Sequence, residues 1–232
     1  MRDKGKENKS GNIRKMFKTI SGRYDLLNTL ITFGRDRLWR RYVIREASLK
    51  NGYLILDVGT GTGGILREAL LSNGSIKAFG ADFTIEMMLA GSKRENRISW
   101  CCTDALNLPF PDSVFDAVTS GYLIRNVTDI RRAFTEQVRC VKPGGRIVCL
   151  ETSPPPQNIL RPFILIYLKF IIPTLGFIFA GNKNAYRYLT SSTEAFKTPE
   201  DLSSIMRDAG LKDINLKKFM FGTIVVLSGI RP

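Results

Sequence analysis

The chain has 232 residues, 44% of them hydrophobic, which is enough for one domain with a sizeable core. Its net charge of +14 admits nucleic acid or an anionic membrane as a partner, or serves solubility alone. The four cysteines form no C-x-x-C pair and the chain has no histidine, which argues against a zinc site and favours free thiols in a reducing compartment.

The first fifteen residues are rich in lysine and arginine and contain almost no apolar side chain. They lack the hydrophobic segment of a secretory signal peptide. We therefore expect residues 1–15 to form a disordered basic tail on a cytoplasmic protein.

Apolar residues then recur at spacings of three and four from Met16 to Ser48, with a break at Gly34. This period predicts helices over residues 16–50, ahead of the first strand. Such helices can cover the edge of an α/β sheet where ligands bind, or only pack against the sheet. Three polar side chains share one helix edge, where packing explains them less well: Tyr24, Asp25 and Asn28.

The segment from residue 53 to residue 64 is typical of a buried strand, a tight turn and the start of a helix. An acid ends the apolar run and glycines follow at every second position: Asp57, Gly59, Gly61 and Gly63. Glycine permits a positive φ and removes the Cβ that would obstruct a bound nucleotide. The glycines also fit the dinucleotide pattern G-x-G-x-x-G, which is a weak signal, and a plain structural turn.

Three acids come at the ends of three successive apolar runs: Asp57, Asp82 and Asp104. Because the carboxyl ends of parallel strands meet at one edge of a sheet, these acids would line a single rim. So much negative charge disfavours a pyrophosphate and favours a ligand with sulfonium and ammonium groups. We therefore prefer S-adenosylmethionine to NAD, with Asp57 facing the ammonium group, Asp82 the ribose and Asp104 the adenine.

Strands and helices are predicted to alternate along the middle of the chain. The strands lie near 53–57, 76–81, 98–102, 114–120 and 146–151, and the helices near 63–72, 84–92 and 129–141. This alternation predicts a parallel, doubly wound sheet. A capped helix from Thr198 and two strands near 212–220 and 222–229 then form a terminal hairpin. The predicted fold class is α/β, a Rossmann-like seven-stranded sheet of the class I S-adenosylmethionine-dependent methyltransferase type.

The segment Pro162–Gly181 is apolar nearly all round and approaches the length of a membrane span. Lys169 and Pro173 interrupt its centre, and a central lysine is costly in lipid. We prefer an apolar lid or a helix resting on a membrane, while a transmembrane helix and a buried core helix stay open. The methyltransferase domain is assigned to residues 16–232, with a lid insertion at 154–197.

Five stretches together carry a family resemblance. They are Tyr24-Asp-Leu-Leu-Asn28 with Phe33-Gly34 and Arg37-Leu-Trp39; Asp57 to Gly63; Ile124-Arg-Asn-Val127; Val141 to Ser153; and Ala185-Tyr-Arg-Tyr-Leu189. From about Phe17 to its C-terminus the chain resembles the ubiquinone/menaquinone biosynthesis C-methyltransferases. The glycine turn is common to many methyltransferases, whereas the other stretches are more specific to this family.

The resembled family methylates a ring carbon of a prenylated quinol with S-adenosylmethionine. The resemblance implies a set of cofactor-binding residues: Thr62, Asp82, Asp104 and Ala105. To these we add the residues of the glycine turn and the residue that ends the fourth strand: Asp57, Gly59, Gly61, Gly63 and Gly121. It also implies that Arg125, Asn126 and Tyr24 face the ring. Family members usually carry histidine where this chain has Asp36.

A quinol carbon becomes nucleophilic when its hydroxyl loses a proton, which requires a base or a positive charge beside the oxyanion. Without histidine, the base must be a carboxylate, a tyrosine or a water. Arg125 stays protonated and suits charge stabilisation, with a surface ion pair as the alternative interpretation. For Tyr24 the alternative is a ring packed in the core.

Other functions fit the sequence less well. A nucleic-acid methyltransferase would explain the charge, but residues 120–123 lack the Asn/Asp-Pro-Pro-aromatic stretch of base methylation and a cysteine nucleophile. A phospholipid or sterol methyltransferase is the closer alternative, and the intact glycine turn argues against a non-catalytic binding module. We expect methylation of demethylmenaquinol by a peripheral protein on the inner face of an anionic membrane, which acts without nucleic acid and as a possible homodimer.

Overall fold

The computed structural model describes residues 4–180 and 183–232. In this part of the chain seven strands form one mixed sheet in the order β3-β2-β1-β4-β5-β7-β6. The strands are β1 (Leu54–Val58), β2 (Lys77–Asp82), β3 (Ile98–Cys102), β4 (Phe115–Gly121), β5 (Val141–Thr152), β6 (Lys212–Phe219) and β7 (Ile224–Ile230). Strands β1 to β5 pair in parallel, whereas β7 runs antiparallel to both β5 and β6. The predicted fold class, including the terminal hairpin, is confirmed.

Helices cover both faces of the sheet. They are α1 (Lys4–Ile20), α2 (Tyr24–Ile31), α3 (Asp36–Ala47), α4 (Gly64–Ser72), α5 (Ile85–Ser92), α6 (Ile130–Cys140), α7 (Arg161–Ile166), α8 (Ile172–Ala180), α9 (Lys183–Glu194) and α10 (Pro199–Asp208). One core cluster joins α3 and α4 to the sheet, and another joins α6 and α10 to its opposite face. Ile55 and Leu56, adjacent on β1, belong to different clusters because successive side chains of a strand point to opposite faces.

The N-terminal segment differs from the expected disordered tail. A helix runs from Lys4 to Ile20, and residues 1–3 of the expected tail lie outside the described residues. Ile13 and Ile20 on α1 are buried, and Lys18 forms an ion pair with Glu86 of α5 at 2.8 Å. The apolar stripe of this helix therefore begins before Met16, inside the segment that its polar composition assigned to the tail.

The lid insertion is a long helix followed by a shorter one. Helices α7 and α8 are continuous through a π-helical turn at Tyr167–Ile171, just before Pro173. Proline has no N–H to donate to the carbonyl four residues earlier, which accounts for the wider turn. Within the lid, α8 packs on α9 so closely that a Cβ on Gly176 would lie 2.2 Å from the Tyr186 ring. Gly181, the last residue of the predicted apolar segment, lies outside the described residues.

One helix in the described part of the chain, Arg161–Phe179, is long and apolar enough to cross a membrane by length and composition. Its mean hydropathy is 2.0 and only 22% of its most apolar window is buried in the fold. A fully buried core helix therefore does not describe it, while the lid and membrane interpretations are both compatible with its position.

Candidate active site

The glycine turn joins β1 to α4 at the carboxyl edge of the sheet. Gly59 and Gly63 have φ values of 70° and 78°, in the left-handed region where only glycine is unstrained. A Cβ on Gly59 would lie 2.8 Å from the Leu123 side chain, and one on Gly63 would lie 2.7 Å from the ring of Trp100. Gly63 therefore serves the packing of α4, whereas Gly59 lines a cleft beside Leu123.

Asp82 fixes the position of this turn. One of its carboxylate oxygens accepts the backbone N–H of Gly61 at 2.8 Å, and the other accepts that of Thr84 at 2.7 Å. Its side chain is largely buried, and this burial raises the pKa of its carboxyl. Asp82 also lines the cleft, so one residue shapes the turn and presents a carboxylate edge to a ligand.

The cleft has a volume of about 100 Å³ and lies between the ends of β1, β2 and β3 and the turn after β4. Asp82, Asp104, Ala105 and Asn126 are among its lining residues, all of which the structure describes, and no lysine or arginine is among them. Asp104 accepts the N–H of Leu106 at 2.9 Å and is otherwise exposed. Two carboxylates without a basic side chain suit a cationic nucleoside and oppose a pyrophosphate. The acidic lining of this cleft therefore fits S-adenosylmethionine better than NAD.

Asp57 lies outside the lining of the cleft in this structure. Its side chain is only 1% exposed, and the Thr119 hydroxyl donates a hydrogen bond to it at 2.7 Å. Burial raises the pKa of the Asp57 carboxyl to about 7, so a cation beside it would favour its charged form. Its contact with a ligand ammonium group stays a prediction.

Thr62 is held by the N-terminal helices. Its hydroxyl donates to Asp25 on α2 at 2.8 Å, and the same carboxylate pairs with Arg67 of α4 at 3.2 Å and with Arg94 after α5. Helix α2 is therefore fastened to the glycine turn. Asp25 belongs to the polar cluster seen in the sequence, and this contact explains it.

Gly121, at the end of β4, packs against α4. A Cβ on Gly121 would lie 2.8 Å from the side chain of Ile65, and Gly121 does not line the cleft. Gly121 therefore does not contact a ligand in the cleft. It can affect cofactor binding only by setting the path of the backbone into the turn after β4.

A larger cavity of about 340 Å³ lies between α2, α3, the lid and the start of β7. Its walls are mainly apolar, with side chains such as Ile31, Trp39, Leu168 and Ile172. A few polar groups enter it from the helices and from the turn after β4: Tyr24, Asn28, Thr32, Asp36, Tyr122 and Arg125. An enclosed apolar space with a few polar groups is typical of a site for a small organic ligand.

Arg125 lies in the short helical turn Ile124–Asn126 after β4 and is 9% exposed. Its guanidinium pairs with Glu151, which is fully buried at the end of β5 and also accepts the N–H of Arg125 at 3.2 Å. Burial alone would lower the pKa of Arg125, but the charge of Glu151 outweighs it and the pKa is raised. Arg125 is thus a permanently charged group on the cavity wall, and the surface ion pair considered from the sequence is wrong.

The guanidinium of Arg125 is only partly paired. Its Nε is buried and has no hydrogen-bond partner among the described residues, and its guanidinium carbon lies 5.4 Å from the centre of the Tyr122 ring. Tyr122 has a φ of 56°, unusual for a residue with a side chain, which places it between β4 and the cavity. Sequence reasoning missed Tyr122 and Glu151 as site residues, although both lie at or just after strand ends and Glu151 belongs to the stretch from Val141 to Ser153.

Asn126 and Tyr24 lie on different sides of the site. Asn126 donates to the carbonyl of Tyr122 at 2.9 Å, accepts a hydrogen bond from Tyr188 of α9 at 3.1 Å, and lines the cleft. Tyr24 lines the cavity and packs edge-on against Phe17, with ring centres 6.1 Å apart. Burial raises the pKa of Tyr24, which makes it a hydrogen-bond donor at neutral pH. The structure therefore brings Tyr24 and Arg125 into one cavity and Asn126 into the neighbouring cleft.

The sequence profile of the ubiE/COQ5 methyltransferase family matches residues 3–231. A ubiquinone/menaquinone biosynthesis C-methyltransferase UbiE of Desulfotalea psychrophila is 43% identical over 225 residues, 96% of this chain and 92% of that protein. A demethylmenaquinone methyltransferase of Roseiflexus sp. is 37% identical over 227 residues, 97% of this chain and 95% of that protein.

Solved structures of low identity share the fold. A Thermotoga maritima S-adenosylmethionine-dependent methyltransferase, described as a possible histamine N-methyltransferase, has a TM-score of 0.67 at 18% identity and covers 95% of this chain and 100% of its own. Phosphoethanolamine N-methyltransferase 2 of Haemonchus contortus, solved with S-adenosyl-L-methionine, has a TM-score of 0.61 at 17% identity. The match covers 81% of this chain and 50% of that chain. With the family profile matched over nearly its whole length, this protein belongs to the ubiE/COQ5 methyltransferase family.

Proposed function

We propose that this protein transfers a methyl group from S-adenosylmethionine to a ring carbon of a prenylated quinol, with demethylmenaquinol as the expected substrate. The observation that carries the proposal is the meeting of two unlike pockets at the turn after β4. Asn126 of this turn lines the acidic cleft, and Arg125 lines the apolar cavity. A cationic nucleoside suits the first pocket and a ring with an apolar tail suits the second. The names of the curated relatives support the same substrate class.

On the cleft side, this chain would hold the cofactor mainly through acids and backbone groups. Asp82 would accept hydrogen bonds from the ribose hydroxyls, and Asp104 and Ala105 would lie along the base. Asp57, at the end of β1, would offset the ammonium charge. When bound, S-adenosylmethionine supplies an electrophilic methyl group on a sulfonium.

On the cavity side, the walls hold the ring and keep water out. Alignment of the ring carbon with the methyl group supplies a large part of the rate in such a transfer. Arg125 stabilises the negative charge that develops on the ring oxygen, in a cavity whose walls are mainly apolar. Tyr24 donates a hydrogen bond to the ring and does not act as a base, because burial raises its pKa.

Arg125→Ala tests the proposed substrate role. Loss of one preorganised donor to a developing oxyanion typically lowers turnover by about a hundredfold or more. We expect that loss in kcat on reduced demethylmenaquinone, with nearly unchanged affinity for S-adenosylmethionine by calorimetry. Arg125→Lys should restore activity only in part, because lysine lacks the planar fork.

Arg131→Ala is the matched control, since Arg131 is exposed on α6 and pairs with Asp208. It should keep wild-type activity. Products are identified by mass, on the reduced and the oxidised ring separately. Full activity in Arg125→Ala, or equal rates on the oxidised quinone, would contradict the proposal, and methylation of a phospholipid or sterol instead would favour the alternative substrate class.

We further propose that the mouth of the cavity rests on an anionic membrane, from which the prenylated substrate enters. Phe33, Phe163 and Phe221 come from three separate elements, line the cavity and are each about 70% exposed. Phe33 and Phe221 have positive φ values of 52° and 55°, an unfavourable conformation for such residues that displays them outward. The apolar outer side of the lid helix continues this surface with Ile166, Phe170 and Phe177.

Flotation with liposomes tests the membrane proposal. Phe163→Asp should reduce binding to anionic vesicles, whereas Leu71→Asp, at an equally exposed apolar residue on α4 away from the cavity, should not. Binding should weaken with salt, because basic residues near an anionic surface contribute about 1 kcal/mol each. Extraction by detergent only would instead favour a spanning helix. The expected homodimer stays a prediction, which light scattering checks.

A further inference from the structure

Asp36 is a carboxylate inside the substrate cavity. It is the first residue of α3, its side chain is 6% exposed, and it lines the cavity described above. Among the residues that line this cavity, all of them described, it is the only acid. A buried carboxylate on an apolar wall is costly unless it is compensated, so its surroundings indicate whether it is structural or available to a ligand.

The two oxygens of Asp36 are compensated unequally. Oδ2 pairs with Arg40 one helical turn later, at 3.0 Å, and the N-terminus of α3 adds a favourable dipole. Oδ1 lies 3.2 Å from the hydroxyl of Thr32. That hydroxyl has one proton, which has a closer acceptor in the carbonyl of Asn28 at 2.7 Å. Oδ1 is therefore a charged acceptor without a committed donor among the described residues.

We propose that Asp36 is the general base of the reaction, which accepts the proton of the ring hydroxyl; this rests on the function proposed above. The hydroxyl O–H bond breaks and its proton passes to Oδ1. The ring carbon then forms a bond to the methyl carbon, and the pair of electrons in the carbon–sulfur bond stays on sulfur. The proton on the methylated ring carbon is finally released to solvent as the ring becomes aromatic again.

The other polar groups around Asp36 serve different roles. Arg40 on the same helix and Arg125 across the cavity are cations. Tyr24, Tyr122 and Tyr167 also line the cavity, and burial raises the pKa of each phenol, so they donate hydrogen bonds at neutral pH. Glu151 is committed to Arg125 and does not line the cavity. The Asp36 carboxylate therefore removes the proton of the ring hydroxyl, and the Arg125 guanidinium stabilises the resulting oxyanion.

Two substitutions test the proposal in the full-length enzyme. Asp36→Asn keeps the shape and removes the basic oxygen, and general-base catalysis typically contributes about a hundredfold or more. We expect kcat on reduced demethylmenaquinone to fall by about that factor, with KM and the affinity for S-adenosylmethionine within about threefold of wild type. Asp36→His offers a different base, so kcat at saturating S-adenosylmethionine should return in part and follow a titration near about pH 6.5 that Asp36→Asn lacks.

Asp116→Asn is the matched control for the loss of a partly buried, ion-paired acid. Asp116 pairs with Lys142 at 2.7 Å and lies outside the cavity lining. It should lower thermal stability and leave kcat and the pH profile unchanged. Quenching of tryptophan fluorescence by the reduced quinol, with Trp39 on the cavity wall, reports substrate binding independently of turnover.

Several outcomes would overturn the assignment. Asp36→Asn with kcat within about threefold of wild type would do so. An Asp36→His enzyme without the titration near about pH 6.5 would also overturn it. A loss of activity in Asp36→Asn with an equal loss of cofactor affinity would do the same, because it would make Asp36 a structural partner of Arg40. Failure of the proposed function appears differently, as a wild-type enzyme that does not methylate the quinol.

Discussion

Asp57→Asn should stabilise this protein at alkaline pH and remove a pH dependence that the wild type shows. Asp57 is 1% exposed, and burial raises the pKa of its carboxyl from 3.8 to about 7. In the unfolded chain the same carboxyl ionises at about pH 3.9. Between these values the folded protein keeps a proton that the unfolded chain has released.

The sign follows from that difference in bound protons. The stability contributed by the protonated carboxyl is fully present below about pH 4 and is lost as the pH rises to about 7. At about 1.36 kcal/mol for each pH unit, the total is roughly 4 kcal/mol, and about 2 kcal/mol falls between about pH 5.5 and 7. Asparagine cannot ionise, so the variant should lack this slope.

Urea unfolding of both proteins at about pH 5.5, 7 and 8.5 measures the effect. The advantage of Asp57→Asn over wild type should grow by about 2 kcal/mol up to pH 7 and then level off. Asp116→Asn serves as control, because losing the ion pair with Lys142 should destabilise the protein at every pH. A constant difference between Asp57→Asn and wild type across the range would refute the reasoning.

Cofactor binding should depend on the same carboxyl. A ligand ammonium group favours the charged form of Asp57, so wild-type affinity for S-adenosylmethionine should rise toward about pH 7 by up to tenfold per unit. In Asp57→Asn the affinity should be weaker and nearly independent of pH. Calorimetry at three pH values separates the two behaviours, and an unchanged affinity in the variant would contradict a contact between Asp57 and the cofactor.

Three further substitutions follow from the contacts of the site. Glu151→Gln leaves Arg125 buried without its charge partner and should lower the unfolding free energy by about 3–5 kcal/mol in urea titrations. Gly63→Ala forces a Cβ to within 2.7 Å of Trp100 at a positive φ, and should destabilise the protein by at least about 1–3 kcal/mol in the same assay. Asp82→Ala should weaken S-adenosylmethionine binding by about ten- to a hundredfold in calorimetry, since hydrogen bonds to charged groups contribute roughly 1.5–3 kcal/mol.

Features that depend on neighbouring residues in the chain could be predicted from the sequence. The glycine turn and the terminal hairpin follow from local periodicity and turn chemistry, and the structure has them where they were expected. The three acids were expected to line a single rim, whereas only Asp82 and Asp104 line the cleft. The N-terminal tail was a second exception. Its polar composition predicted disorder, but a helix needs only one apolar stripe, and Ile13 extends that stripe toward the N-terminus.

The structure decided which side chains share a pocket. Arg125 and Glu151 are 26 positions apart, and only the pairing of β4 with β5 brings their charges together. The sequence does not explain why Asp25 belongs to a polar cluster, whereas the fold gives it a hydrogen bond from Thr62 and an ion pair with Arg67. Sequence spacing has no information on such contacts, because they depend on strand order and on how helices cross the sheet.

The same reason explains Asp36. In the sequence this residue is an acid in the first turn of a predicted helix, where the resembled family usually carries histidine. An acid at such a position commonly stabilises the helix itself. Its place on the wall of an apolar cavity arises because the lid and α2 enclose the N-terminal end of α3. Local sequence therefore determined the type of fold and the cofactor turn, whereas the tertiary packing of the N-terminal helices and the lid decided which charges the substrate would meet.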